Sequence, residues 1–381
     1  MKIHGTPYRS PGTFDYRSIT DTIQRSLASA GLEQPAGLMK GITDTVEQAF
    51  AASGLIPGGA RPEHRGETYD GFAREVDAAT GEFVKRAFTN SAGTRSYLLH
   101  VPASYAHLGA GAPLVVMLHG CSQTPEDFAA GTRMNELAER HGFLVAYPAQ
   151  VAGANKGKCW NWYRTKHQAR DLGEPSILAG IARQVASDYR VDPQRIFVAG
   201  MSAGAAMAVI LGATYPELFA AVGAHSGLPL GAAHDLPSAL AAMKNGGAQG
   251  TRAMRAVPTI VFHGCEDSTV HASNGDAIVA QATARGLEEE RLRAEVHTHR
   301  SPDGRAYTRT VFADATGHPL VEHWALHETG HAWSGGSPNG SFTDPRGPDA
   351  SAEMIRFFGA QIREAQPRAL AYFGGGASLR S

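Results

Sequence analysis

From Arg195 to Gly204 the chain reads Arg-Ile-Phe-Val-Ala-Gly-Met-Ser-Ala-Gly, and this stretch restricts the fold more than any other. Ile196–Ala199 is a short apolar run of the kind that forms a strand covered on both faces. It stops at Gly200, and small residues follow from Ala203 through Ala208. Gly200-Met201-Ser202-Ala203-Gly204 fits G-x-S-x-G, a sharp strand-to-helix turn with serine at its apex. The apex backbone is strained, and glycines two places before and after it remove side chains that would keep strand and helix apart. A helix starting at Ala203 aims its N-terminal N–H groups at Ser202, where they can face developing negative charge. A serine between glycines is more often an ordinary loop residue. Here the strand before it and the small-residue helix after it favour Ser202 as a nucleophile.

Other compact apolar runs surround this turn. Pro113–Gly120, Phe143–Tyr147, Ala220–Ala224 and Thr259–Gly264 read as further buried strands, and Phe83–Asn90 with Arg95–Pro102 reads as an antiparallel hairpin. Thr124, Pro125 and Asp127 supply an N-cap, a proline at N1 and a capping acid ahead of a helix over Phe128–His141. Ile177, Ile181 and Val185 mark the apolar face of another helix. Strands alternating with helices predict an α/β domain, a mainly parallel sheet with helices on both faces and active residues beyond the C-terminal strand ends. Residues 228–256, rich in Ala, Gly and Pro, read as an excursion near the site.

With 381 residues, one α/β domain of about 300 residues plus an appendage fits better than two equal domains. Ile19, Ile23 and Leu27, then Ile42, Val46 and Phe50, predict two short amphipathic helices, and residues 57–62 read as a linker. The expected division is an N-terminal helical segment and linker over 1–60, a catalytic domain over 61–366 and a tail over 367–381. The N-terminal helices could pack on the domain or join two copies as a homo-oligomer. A net charge of −1 gives no electrostatic case for nucleic acid or an anionic membrane, and no apolar run reaches the roughly 20 residues that span a bilayer. The first residues lack the apolar core of a secretory signal, so a cytoplasmic location is expected, with secretion by another route left open. Cys121, Cys159 and Cys265 are too few for a disulfide framework; one pair could bond, but count alone favours reduced thiols.

An acyl-transfer serine needs an imidazole, a carboxylate to orient it, and oxyanion donors. In chain order after Ser202, the strand Thr259–Gly264 runs into Cys265-Glu266-Asp267; Asp267 is the favoured acid and Glu266 its competitor. His331, in Glu328-Thr329-Gly330-His331-Ala332-Trp333, is the expected base. The oxyanion donors are the amide of Ala203 and that of Cys121, in the turn His119-Gly120-Cys121-Ser122-Gln123. A rival pattern overlaps the base: His327, Glu328 and His331 satisfy the H-E-x-x-H spacing of a zinc hydrolase. That geometry requires a helix, and Gly330 with the following Ser-Gly-Gly-Ser-Pro argues against one. A catalytically silent binding protein is the remaining alternative, disfavoured because every triad position carries a competent residue. No metal and no cofactor are expected.

Taken together, His119–Gln123, Cys159-Trp160-Asn161-Trp162-Tyr163, the Ser202 turn, Pro258–Gly264 and Gly330–Gly336 resemble the polyhydroxybutyrate depolymerase family of serine esterases, which sits beside feruloyl and acetylxylan esterases. The resemblance spans about residues 80–360. It implies an α/β-hydrolase fold with Ser202, Asp267 and His331 as triad and no cofactor; the helical segment over 1–60 is an N-terminal appendage outside the resemblance. It also implies a cleft lined by Trp160, Trp162, Tyr163 and Trp333 for an ester or polyester substrate, and a Cys121–Cys159 disulfide holding the oxyanion turn. Each aromatic taken singly could equally be a core residue. Cys265 departs from the polar residue common at its position. The expected substrates are 3-hydroxyalkanoate esters or oligomers, with feruloyl or acetyl groups on plant polysaccharide as the alternative. No signal segment or separate substrate-binding domain is read in the sequence, which weakens the case for crystalline polymer as the substrate.

Overall fold

In the computed structural model, which describes residues 81–108, 111–246, 257–289, 291–302 and 304–361, the apolar runs pair into one sheet. The expected N-terminal helices, the 57–62 linker and the tail lie outside the described residues. The strands are β1 (Glu82–Asn90), β2 (Gly93–Val101), β3 (Ala112–Leu118), β4 (Leu144–Pro148) and β5 (Val191–Met201). They are followed by β6 (Ala221–His225), β7 (Thr259–Gly264), β8 (Arg293–Arg300), β9 (Ala306–Ala313) and β10 (Pro319–Leu326). Their spatial order is β1-β2-β4-β3-β5-β6-β7-β10-β9-β8. The run from β4 through β3, β5, β6 and β7 to β10 is parallel throughout, and the antiparallel pairs lie at the two edges.

The helices are α1 (Pro125–Thr132), α2 (Met134–His141), α3 (Gly173–Asp188), α4 (Ala203–Thr214), α5 (Leu236–Asn245), α6 (Ser273–Glu288) and α7 (Ala350–Ala360). They cover both sheet faces. One core gathers Leu114, Val116 and Val198 of the sheet with Ile177 and Ile181 of α3 and Met207 and Leu211 of α4. The other gathers Val115, Met117 and Phe197 with Phe128 of α1, Leu137 of α2 and Phe357 and Phe358 of α7. Alternation along β3 and β5 sends successive side chains to opposite cores, so these strands read as continuous apolar runs. Full burial of each such side chain contributes about 1.5–3 kcal/mol. Helix α4 is buried from Ala203 through Gly212, as expected for a helix apolar all round.

One local reading changes, one hairpin goes unread, and one stretch gains a helix. The single helix expected over Phe128–His141 is two, because Arg133 takes a left-handed conformation (φ 52°) between α1 and α2. Its guanidinium donates to the Gly335 carbonyl at 2.9 Å and to Asp349 Oδ2 at 3.0 Å, which offsets a backbone cost of roughly 1–2 kcal/mol. Apolar spacing continues through Met134 and Leu137, so periodicity alone does not reveal the break. The β8–β9 hairpin carries no apolar run, since every residue of β8 is exposed, and it goes unread for that reason. Within 228–256, the described part holds α5, capped by Asp235, and no strand.

The turn between β5 and α4 depends on two absent side chains. A Cβ on Gly200 would sit 2.5 Å from the Gly204 carbonyl carbon and 2.6 Å from the Leu118 carbonyl oxygen, and a Cβ on Gly204 would overlap that same oxygen. Backbone cannot swing aside as a side chain can. Gly204→Ala is therefore expected to destabilise the protein by about 1–3 kcal/mol through forced separation of α4 from β3. Gly359→Ala, in α7 with nothing within 4 Å of the added methyl, should instead be neutral or stabilising by roughly 0.5–1 kcal/mol. Urea denaturation of the two variants checks the contrast, and equal midpoints would contradict it.

Candidate active site

Ser202 stands between β5 and α4 with φ 55° and ψ −120°, a conformation that costs about 1–3 kcal/mol and is kept only where the surroundings enforce it. The enforcement is visible. Its amide donates to the His225 carbonyl at 2.9 Å, and its carbonyl accepts from Ala206 N at 3.0 Å in the first turn of α4. Among the described residues, neither the Ala203 amide nor the Cys121 amide has a protein acceptor, which leaves both donors unused. Gly120 approaches Ser202 closely enough that an added Cβ would lie 3.6 Å from the serine Cβ.

The turn holding Cys121 is fixed from several directions. Gln123 Oε1 accepts from Gly120 N at 2.9 Å, while its amide nitrogen donates to Asp127 Oδ2 and to the Ser341 carbonyl. His119 Nε2 accepts from Gln150 N at 3.1 Å. Its proton must then sit on Nδ1, which donates to the Gly120 carbonyl at 2.7 Å. Burial lowers the His119 pKa to about 4, so the ring stays neutral and keeps this tautomer. The Ser122 amide donates to Gly157, and a disulfide joins Cys121 to Cys159 with Cα atoms 4.2 Å apart; Cys265 is a free thiol. Closing 38 residues of chain contributes about 4 kcal/mol by the loop-entropy argument.

Asp267 and His331 meet. Imidazole Nδ1 lies 2.7 Å from Asp267 Oδ2, and Asp267 Oδ1 accepts from the Thr269 and Val270 amides at 2.9 and 2.8 Å. Burial alone would raise the carboxyl, but the bond and charge of His331, the Val270 amide and nearby His263 hold it below the ordinary carboxylate range. An ionised carboxylate only accepts, so His331 Nδ1 carries a proton and Nε2 keeps its lone pair for the serine. No hydrogen bond joins the Ser202 hydroxyl to His331 here. Such contacts are often long before substrate binds. The Glu266 side chain is exposed and only its backbone amide reaches the His331 loop, at the Thr329 carbonyl, so Asp267 is the better placed of the two acids.

The expected aromatic lining is corrected. Trp160 and Trp333 are fully buried and Trp162 nearly so. Trp160 donates from Nε1 to the His119 carbonyl, and Trp333 donates to Ser351 Oγ. These indoles brace the oxyanion turn and the His331 loop from behind. Each is a large apolar group whose one polar atom finds a buried partner, which favours the interior. Tyr163, half-buried, is the one of the four with surface to offer. The H-E-x-x-H reading also fails. His327 leaves the end of β10 and bonds Thr308 Oγ1 at 2.9 Å, while Glu328 has φ 53° and pairs with Arg305. The segment is not helical, and among the described residues no group of three His, Cys, Asp or Glu side chains is placed to hold a metal ion.

Sequence reading also passes over a buried carboxylate. Glu174, in the first turn of α3, accepts from Asn161 N and Nδ2 at 2.7 Å each, from Gln150 Nε2 and, at 3.3 Å, from Arg95. It anchors the loop that carries Cys159 and Trp160. A first-turn acid is commonly a solvated one, and only Asn161 in the neighbouring aromatic motif hints at the partnership.

The sheet and the Ser202 turn define an α/β hydrolase. An acetyl xylan esterase from Aspergillus awamori has the same fold, with a TM-score of 0.55 at 21% identity over 70% of this chain and 94% of that one. The chain belongs to the family described as Esterase PHB depolymerase, whose model matches residues 95–306, more than half of the chain. That span includes Ser202 and Asp267 and ends before His331. Among relatives, poly(3-hydroxyalkanoate) depolymerase C of Paucimonas lemoignei is 31% identical over 264 residues, covering 64% of this chain and 60% of its own length. Acetylxylan esterase A of Talaromyces purpureogenus is 32% identical over 162 residues, covering 42% of this chain and 40% of its own. The chain thus spans less than two thirds of the length of these relatives.

The buried histidines make stability depend on pH. Burial lowers His119 to about 4 and His225 to about 3, whereas the unfolded chain titrates both near 6.5. Their contribution is complete above pH 6.5 and is lost as pH falls toward 4 and then 3, because the unfolded state binds the protons first. Two such groups steepen the loss to about 3 kcal/mol per pH unit. Urea midpoints measured from pH 8 to pH 4 should be level above 7 and fall below 6; a level profile down to pH 4.5 would contradict this.

Proposed function

We propose that the protein is a serine carboxylic ester hydrolase that works through an acyl-enzyme. Ser202 Oγ attacks the ester carbonyl carbon as His331 Nε2 takes the hydroxyl proton. The oxyanion receives hydrogen bonds from the Cys121 and Ala203 amides. Collapse expels the alcohol, which takes the proton back from Nε2. Water then attacks the acyl-serine by the same route, releasing the acid and restoring Ser202. Asp267 holds the imidazole in the required tautomer and stabilises its cationic form. The observation that carries this reading is the 2.7 Å bond between His331 and a buried Asp267, which follows β7 as the strained Ser202 follows β5, both at the C-terminal ends of parallel strands.

For the substrate, we favour 3-hydroxyalkanoate esters or oligomers, supported by the similarity to the Paucimonas depolymerase over the longest matched span of the relatives above. Acetyl groups on xylan are the second reading, favoured by the acetylxylan esterase relatives and by the shared fold. Burial of three of the four aromatic candidates leaves both readings with a shallower aromatic surface than the motif implies.

Ser202→Ala should lower hydrolysis by about 10⁴-fold or more. Asp267→Asn should cripple turnover with the fold intact, Glu266→Gln should be mild, and EDTA should leave the rate unchanged. The assay is hydrolysis of p-nitrophenyl acyl esters, hydroxybutyrate oligomers and acetylated xylan. Activity that survives Ser202→Ala, or that vanishes with EDTA and returns with zinc, would overturn the mechanism; relative rates across the panel decide the substrate.

A further inference from the structure

His225, the last residue of β6, is fully buried and belongs to neither the triad nor the oxyanion turn, yet it bonds to the segments that carry both triad ends. Its carbonyl accepts the Ser202 amide at 2.9 Å. Its ring Nε2 accepts the Ser334 amide at 3.0 Å, three residues beyond His331. The ring stacks with Trp333 at 5.1 Å and with Phe262 at 5.8 Å, nearly parallel to both. We propose that His225 is a positioning residue that holds the nucleophile turn and the His331 loop in working register.

A backbone N–H can only donate, so Nε2 must present its lone pair and the proton must sit on Nδ1, 3.1 Å from Ser226 Oγ. The ring is therefore held neutral in one tautomer. The charged or titratable groups facing it are His263, His331 and Asp267, and burial among them keeps it far below the usual histidine range. A phenylalanine would fill the same volume and keep the stacking. It would leave the Ser334 amide buried without an acceptor, at a cost that the loop relieves by moving. Catalytic groups must be held within about 0.5 Å of the productive geometry, and a shift of about 1 Å costs on the order of 10²-fold in rate. A residue that served packing alone would need the ring and not the nitrogen.

The role rests on the esterase reading, and the test separates the two. In His225→Phe, kcat for p-nitrophenyl acetate should fall by about 10–100-fold with KM nearly unchanged. His225→Gln, which can place Oε1 near the former Nε2, should recover most of the loss. Independently of activity, the downfield NMR resonance of His331 Nδ1–H in its bond to Asp267 should be sharp in wild type and His225→Gln and lost in His225→Phe. An unchanged kcat and resonance in His225→Phe overturns the proposal. So does a His225→Gln variant that folds but is slow and lacks the resonance, which keeps the test decisive if His225→Phe fails to fold. Wild-type hydrolysis that survives Ser202→Ala would remove the esterase reading alone, and the resonance would still decide the role of His225.

Discussion

The contact on which the rest depends is the meeting of α4 with the end of β3, where Gly204 lies directly against the Leu118 carbonyl. It is a backbone-to-backbone approach with no room for a methyl group. Because α4 cannot move outward, the chain must turn from β5 into α4 within Ser202 itself, and the serine takes its strained conformation. The same approach sets the N-terminus of α4 beside the turn that follows β3, so the Ala203 and Cys121 amides come from two elements already locked together. A cost of roughly 1–3 kcal/mol at one residue is small against the apolar burial of α4 on every side.

Around that contact the site is held by buried, hydrogen-bonded polar groups that fix the loops at the ends of four strands. His119 and Gln123 fix the turn after β3, Glu174 fixes the loop after β4, His225 ends β6, and Asp267 follows β7. Each bond is worth only about 1 kcal/mol net, so none of them explains the fold. Their value is in what their loss would leave behind, an unpaired buried donor or acceptor in a loop free to shift. That asymmetry makes them devices of geometry more than of stability.

The parts legible in the sequence are those written in short-range pattern. Apolar runs of strand length located β3, β4, β6 and β7 nearly to the residue, as Thr259–Gly264 illustrates. The polar start of β5 at Val191 and the mixed strand β10 were not read from them. The G-x-S-x-G spacing located the turn because its glycines answer to local sterics. Asp267 and His331 were legible through chain order and loop context. Long-range partnerships were not. Nothing in Glu174 distinguishes a solvated first-turn acid from the anchor of a loop, and His225 reads as one more residue of a buried strand. Trp160, Trp162 and Trp333 show the same limit, since the family resemblance marks them as important without saying which side of a wall they occupy. The left-handed Arg133 was hidden because its acceptors, Gly335 and Asp349, lie some two hundred residues away.

The oxyanion turn carries two kinds of restraint, and they do different work. The Cys121–Cys159 bridge acts mainly on the unfolded chain, removing conformations it would otherwise explore, at about 4 kcal/mol. The bonds from His119, Gln123, Trp160 and Ser122 act on the folded state, where they fix the peptide planes on either side of Cys121. Direction matters more than total energy for an amide that must point at an oxyanion, because hydrogen bonds weaken steeply off axis. The bridge cannot set that direction by itself, since a disulfide restrains two side chains and leaves the Cys121 peptide free to rotate. The hydrogen bonds can, because they grip the carbonyl and amide of Gly120, the residue whose carbonyl shares a peptide plane with the Cys121 N–H. Stability of the turn and accuracy of the turn are therefore separate properties of this chain, supplied by different atoms.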